Sequence, residues 1–293
     1  IMLKGVEVAK AEVLPGHVLA IDHGTAQRGM VQGIPTKEPA FGLPALWVAE
    51  DQREQAQMAG YTVVDASSAI TTHLSEIIKR HGHELLGRQE AQALLDEVGK
   101  THPKLVEELI PTMVSLGTVV RILGNLLKEG IPIRDIRSIL EAIADHAMTT
   151  KDAELLTEMA RQSLARTITK QYQAPDGSLP VITLDPRLDR SLAEQAATLP
   201  QGAVLNLDPA LSHKLLTALK QSAERVAARG QQPILLCSPA VRRHLRREHH
   251  RGPGLHRGHL AARAAQQAEK RLDVRPANLR LQPEIRGPHI EAL

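Results

Sequence analysis

The spacing of apolar residues changes twice along this chain, and nothing else in the sequence constrains the fold as strongly. Up to about residue 64, apolar residues come in short runs broken by Gly and Pro, as strands and turns require. Ile1–Ala9 alternates and reads as a strand. His17–Ile21 is a second, stopped by Asp22-His23-Gly24. Glycines and prolines recur from 29 to 44, which reads as a loop. Ala45–Val48 and Tyr61–Val64 are further strands, with a short helix over Asp51–Ala59 before Gly60.

From Asp65 to Thr169 the spacing is helical. Asp65 and Ser67 are N-cap residues, and Ile70, Leu74, Ile77 and Ile78 are expected to form one buried stripe. Further helices are expected over Arg88–Val98, Pro103–Leu109, Thr118–Glu129 (ended by Gly130), Ile133–His146 and Asp152–Thr169. Ile136, Ile139, Leu140 and Ile143 share one face of the helix over Ile133–His146.

After an Asp176-Gly177 turn the pattern becomes α/β. Pro180–Leu184 and Pro233–Cys237 read as strands, with helices over Pro186–Thr198 and Pro209–Arg229 and a third strand at Ala203–Leu205. Strand, long helix and strand in succession predict a βαβ unit. The expected fold class is therefore mixed α/β (α+β) in several subdomains: strand-rich first, then helical, then α/β.

Composition narrows this further. Phe41, Trp47, Tyr61 and Tyr172 are the only aromatic residues among 293, so the core must be aliphatic. The single cysteine, Cys237, excludes an internal disulfide framework and points to a reducing compartment. No apolar run reaches the roughly 20 residues of a membrane helix. The chain begins at Ile1, which reads as a fragment that starts inside a longer protein.

Positive charge is confined to the end. Residues 241–293 carry 12 Lys/Arg against 5 Asp/Glu, whereas the whole chain is only +3. A nucleic-acid-binding function would rest on this tail alone. His249, His250, His256 and His259 lie there, yet residues 247–293 lack aromatics and apolar periodicity. That composition matches a GC-rich gene read out of frame. Shifting a back-translation of residues 255–261 by one base can yield the strand-like Ser-Thr-Val-Val-Ile-Ser. A change of frame near residues 247–250 is expected, and sequencing the gene across that stretch tests it.

Local motifs do not assemble an active site. The glycine spacings fit neither a P-loop nor a dinucleotide turn, and no GxSxG or HExxH occurs. His81 and His83 flank Gly82 at a helix junction without the carboxylate or cysteine partners a metal needs. Cys237 reads as a small buried residue and Asp65 as a helix cap. Arg88, Glu90, Arg134 and Asp135 read as solvated charges or inter-helix pairs. The expectation is a protein that is not an enzyme, with no cofactor and no metal.

Several longer blocks are specific as a collinear series. They are Ile1–Val8, Leu14–His17, Pro39–Val48, Gly60–Ser67, Thr72–Glu76, Glu84–Gln92 with Leu94–Asp96, and Pro132–Glu141. Together they resemble the cytoplasmic region of the FHIPEP family of type III export-gate proteins over about residues 1–246. Phe41–Val48 and Thr72-His73-Leu74 resemble its flagellar members more than those of virulence injectisomes, which are the alternative. The resemblance implies four subdomains: 1–61 plus 111–130, an inserted ferredoxin-like 62–110, a helical 131–210, and an α/β 211–293. It also implies a nine-membered ring at the cytoplasmic face of the bacterial inner membrane. The implied function is docking of flagellar chaperone–substrate complexes, beside other export components, with no nucleic acid.

The positions matching the family's chaperone-binding dimple, between the first two subdomains, are His83, Leu86 and Gly117, with Val114 nearby. Better-known members carry an acidic residue, Phe and Thr at the first three. Here Leu86 keeps an apolar anchor, His83 removes a negative charge and Gly117 removes a hydroxyl. Weak docking on such a site would exchange quickly, and a ring would multiply it. Gly130 and residues 208–211 are the expected hinges.

Overall fold

The computed structural model describes residues 1–245, apart from 25, 28, 175–176, 200–204, 206, 228–232 and 243. The expected change of frame, His249, His250, His256 and His259, and the basic tail beyond Leu245 lie outside the described residues. The chain forms two compact units, Ile1–Leu86 and Gly87–Leu293.

The first unit opens with a hairpin rather than one strand. β1 (Met2–Leu3) pairs antiparallel with β2 (Val6–Glu7). Lys4 and Gly5 between them have φ of 48° and 82°, the two positive values that a type I′ turn demands. A four-stranded antiparallel sheet follows, in the order β4-β5-β3-β6: β3 (His17–Ile21), β4 (Ile34–Lys37), β5 (Pro44–Ala49) and β6 (Thr62–Asp65). Leu19 lies opposite both Trp47 and Val64. Strand β4 corrects the expected loop over 29–44. It is an exposed edge strand containing Pro35, held by pairing Ile34 with Trp47 and Lys37 with Pro44.

Both faces of this sheet are covered, which is why Val18–Ile21 is apolar continuously rather than alternately. Val18, Ala20 and Val48 pack with Ala56, Ala59 and Tyr61, from α1 (Arg53–Met58) and the residues after it. Leu19, Ile21, Ala45 and Trp47 pack on the other side with Ala69 of α2 (Ala66–Leu85). Asp65 caps α2, its Oδ1 accepting from the Ser68 N–H at 2.6 Å. The buried face of α2 corrects the expected stripe. Ala69, His73 and Ile77 face inward, while Ile70, Leu74 and Ile78 are exposed.

The second unit begins with α3 (Arg88–Thr101), α4 (Pro103–Glu108), a wide turn over Leu109–Met113, and α5 (Leu116–Lys128). Then come α6 (Ile136–Ala147), α7 (Ala153–Ser163) and α8 (Ala165–Tyr172). The helix expected over 152–169 is two helices, broken at Leu164, which is buried. Ser115, Asp135 and Asp152 cap α5, α6 and α7 through their side chains, and Gly130 ends α5 at a φ of 72°. Ile122, Leu123 and Leu126 of α5, Ile139, Leu140 and Ile143 of α6, and Leu156 of α7 are fully buried.

The α/β part retains the expected parallel arrangement with shorter strands. β7 (Ile182–Thr183) pairs in parallel with β8 (Leu235–Leu236). Between them run α9 (Pro186–Ala197), capped by Asp185, and α10 (Pro209–Ala227), where Asp208 Oδ1 accepts from Ala210 and Leu211. Leu188, Leu192, Leu215, Leu235, Cys237 and Val241 share one core here. Leu205 is buried but in no strand; Ala203 and Val204 of that expected strand, and Asp176 of the expected turn, lie outside the described residues. Among the described residues no single helix is long and apolar enough to cross a membrane. One pair, Pro103–Met113 with Leu116–Lys128, has the length and composition together but is bent by 107°. The buried face of α5 accounts for its apolar character.

Candidate functional site

The expected docking residues divide between the two units. In the first, His83 and Leu86 stand at the C-terminal end of α2, both half-buried. In the second, Val114 and Gly117 flank Ser115, the N-cap of α5.

The end of α2 is tied down on several sides. Lys4 Nζ donates to the Glu84 carbonyl at 2.6 Å, and Arg80 Nη2 donates to the Ala40 carbonyl at 2.7 Å. The receiving loop is itself braced, because the buried Glu38 carboxylate accepts from the N–H groups of Ala40 and Phe41 at 2.8 and 2.7 Å. His81 Nδ1 lies 2.6 Å from Glu84 Oε1, and this hydrogen bond is the main reason the Glu84 pKa falls below its ordinary value.

Along α2, which Leu86 follows, lies a run of exposed apolar residues. Ile70, Leu74 and Ile78 follow one another at four-residue intervals, and Leu85 extends the same face of the helix. They are 44–52% exposed. Residues at i, i+4 and i+8 looked like core in the sequence; the sheet instead takes the neighbouring face, where Ala69 allows close approach. Sequence reasoning missed these four as surface, and their spacing alone cannot separate the two faces.

In the second unit Val114 is buried at 3% exposure, so its side chain supports the α5 start rather than offering a contact. Ser115 Oγ accepts from the Thr118 N–H at 3.1 Å, and Lys151 Nζ donates to the Met113 carbonyl. Gly117 is half-buried. A Cβ there would lie 3.7 Å from Ser115 Oγ and 3.8 Å from Arg88 Nη2, ordinary contact distances. Glycine at 117 is thus not imposed by packing, and a side chain could be accommodated.

Other candidates resolve into structural roles. Asp65 is a cap whose pKa is lowered to about 2, first by the Ser67 hydroxyl and then by the Ser68 N–H. Glu90 Oε2 accepts from the Gly87 N–H at 2.8 Å, and Asp135 caps α6. Cys237 is buried, and burial pushes its thiol up to about 12, the opposite of what a thiolate nucleophile needs. Among the described residues no group of three or more His, Cys, Asp or Glu is arranged to hold a metal.

The sequence pattern of the FHIPEP family matches residues 1–253. The chain is 41% identical over 244 residues to the flagellar biosynthesis protein FlhA of Bacillus subtilis (strain 168), covering 83% of this chain and 36% of that protein. It is 44% identical over 242 residues to FlhA of Escherichia coli (strain K12), covering 83% and 34%. The chain therefore spans about a third of the length of these curated relatives. Among solved structures, the Chlamydia pneumoniae CdsV protein superposes with a TM-score of 0.81 at 26% identity, covering 96% of this chain and 79% of that one. The nonameric EPEC SctV-C shares the fold, with a TM-score of 0.62 at 22% identity over 81% of this chain and 71% of that one.

Proposed function

Because this chain belongs to the FHIPEP family, we propose that it is the cytoplasmic docking part of a flagellar type III export gate. In this reading it receives chaperone–substrate complexes for export during flagellum assembly and is not an enzyme. The observation that carries the reading is the collinear match to flagellar proteins, at 41% and 44% identity over 83% of the chain. The injectisome alternative is less favoured, because the CdsV likeness is 26%. By family resemblance the whole protein would sit at the inner membrane, with this region on its cytoplasmic side as four subdomains. Assembly as a nine-membered ring, beside other export components, is supported by the fold shared with the nonameric SctV-C.

Docking in this reading uses Leu86 as the apolar anchor, with His83, Gly117 and the buried support of Val114. Leu86 ends a helix whose exposed face already offers Ile70, Leu74, Ile78 and Leu85. An amphipathic helix of a chaperone would pair with such a face, its anchors spaced at i, i+3 and i+4. The test is calorimetric titration of the chain with a flagellar chaperone–substrate complex, wild type beside Leu86→Asp. A carboxylate inside an apolar contact is strongly disfavoured. Micromolar binding that weakens at least about tenfold in Leu86→Asp, with unchanged circular dichroism, is the expected result. Equal binding by both proteins would refute the assignment of Leu86, and absence of binding by the wild type would refute docking by this region.

A further inference from the structure

Two glutamates and two arginines, scattered over 114 positions from 129 to 242, meet inside the second unit. Glu129 closes α5. Glu158 and Arg161 lie one turn apart on α7. Arg242 comes from the helical residues 239–242 that follow β8. Arg161 donates to Glu129 Oε2 through Nη2 at 2.6 Å and Nε at 3.0 Å. Arg242 donates to Glu158 Oε2 through Nη1 at 2.8 Å, and through Nη2 to the same Glu129 oxygen. Arg161 Nε lies 4.0 Å from Glu158 Oε2, so the four side chains, two of each sign, are joined to one another by ion pairs. Their side chains are only 3–11% exposed.

The placement of the set matters as much as its composition. Three members belong to the helical layer and the fourth to the α/β part. Val241 and Leu245, on either side of Arg242, are buried in the α/β part's own core with Leu188, Leu192 and Cys237, whereas Arg242 reaches out of that core to Glu129 and Glu158. Apolar contact is non-directional and tolerates sliding. A forked guanidinium shared between two carboxylates does not, because its donors have fixed directions. Burial dominates at Arg161 and draws its pKa down, aided by the positive Arg242 and opposed by both glutamates. Four charges removed from water stand close to break-even when all are paired. Losing one leaves the others buried and mismatched.

We propose that Glu129, Glu158, Arg161 and Arg242 form a polar latch, which sets one register of the α/β part on the α5–α7 layer and allows that part to detach as a unit. Directional pairing gives the single docked geometry. Rehydration of all four charges on separation offsets much of the lost contact, so detachment is easier than it would be from an apolar seam. This inference does not depend on the docking function.

The test is hydrogen–deuterium exchange of the full chain, read separately in peptides from β7–α9, from β8 to Leu245, and from α5–α7. In the wild type the first two sets are expected to exchange together, through an opening that leaves α5–α7 protected. Arg242→Met should accelerate exchange in both sets by roughly a hundredfold or more, because two carboxylates then share one arginine. Arg242→Lys, which keeps the charge but not the fork, should give a smaller rise in the same peptides; it serves if Arg242→Met proves unable to fold. The four-residue variant Glu129→Met, Glu158→Met, Arg161→Met and Arg242→Met removes every charge and should slow that exchange below wild type. Unchanged exchange in both Arg242 variants would overturn the proposal. So would a rise spread equally over α5–α7, or a four-residue variant that opens as readily as Arg242→Met.

Discussion

Replacing Gly33 by alanine sets two effects of opposite sign against each other. Gly33 precedes the edge strand β4, and its φ is not in the left-handed region, so the backbone would accept alanine. By itself, loss of glycine's freedom in the unfolded chain would stabilise by about 0.4–1 kcal/mol. The packing opposes this. A Cβ at 33 would meet the Trp47 carbonyl oxygen at 2.7 Å, Val48 Cγ1 at 2.8 Å and Leu46 Cβ at 3.1 Å. The nearest of these is backbone inside the β4–β5 ladder, which cannot yield without shifting the strand pair. Overpacking of this kind costs about 1–3 kcal/mol. The clash should prevail by about 1 kcal/mol. Trp47 is the only tryptophan, is buried, and lies on β5 opposite Ile34, so its fluorescence reports this sheet. The urea midpoint of that signal should fall by roughly 0.5–1 M, given a slope of about 1–2 kcal/mol per molar. Gly82→Ala is the comparison: it lies inside α2, a Cβ there meets nothing within 4 Å, and helix propensity favours alanine by up to about 1 kcal/mol. Its midpoint should rise. A Gly33→Ala midpoint at or above wild type would refute the packing argument.

Two further predictions concern titrating groups. Asp65 has its folded pKa depressed to about 2, so its contribution to capping α2 is fully present above the unfolded value near 3.9 and is lost as pH falls towards 2. The gap in Trp47 midpoint between wild type and Asp65→Ala should therefore be full at pH 5 and much narrower at pH 2, and a gap as wide at pH 2 as at pH 5 would contradict the cap assignment. Cys237, with its thiol held up to about 12 by burial first and the nearby Asp189 charge second, should alkylate at pH 8 on the order of a thousandfold more slowly in the folded protein than in denaturant. Comparable rates in both states would show that the core around α9, α10 and β8 is open.

Much of the fold was legible because it depends on neighbours in sequence. Asp65 announces the start of α2 by satisfying the Ser68 N–H, and Gly130 announces a stop because its φ is positive, whereas Asp135, read as a solvated charge, is the cap of α6. The apolar faces of α5 and α6 were legible for the same reason, since each is one periodic stripe with one partner layer. Within the candidate site, family resemblance picked out Leu86, but neither resemblance nor spacing foretold that Val114 would be buried.

What the sequence by itself determined was therefore local: caps, turn residues, helix periods, and an aliphatic core without disulfides. Tertiary structure decided what depends on a partner distant in the chain. Ile34–Lys37 is a strand only because β5 supplies its hydrogen-bond partners, despite Pro35 and its exposure. Ile70, Leu74 and Ile78 lie outside because the sheet packs on the Ala69–His73–Ile77 face, and two adjoining apolar stripes on one helix have the same period. Arg242 joins Glu129 across 113 residues because burial leaves a guanidinium no water to bind and makes a distant carboxylate its counterpart. Periodicity carries the direction of a side chain along its own element, and only packing supplies the surface it meets.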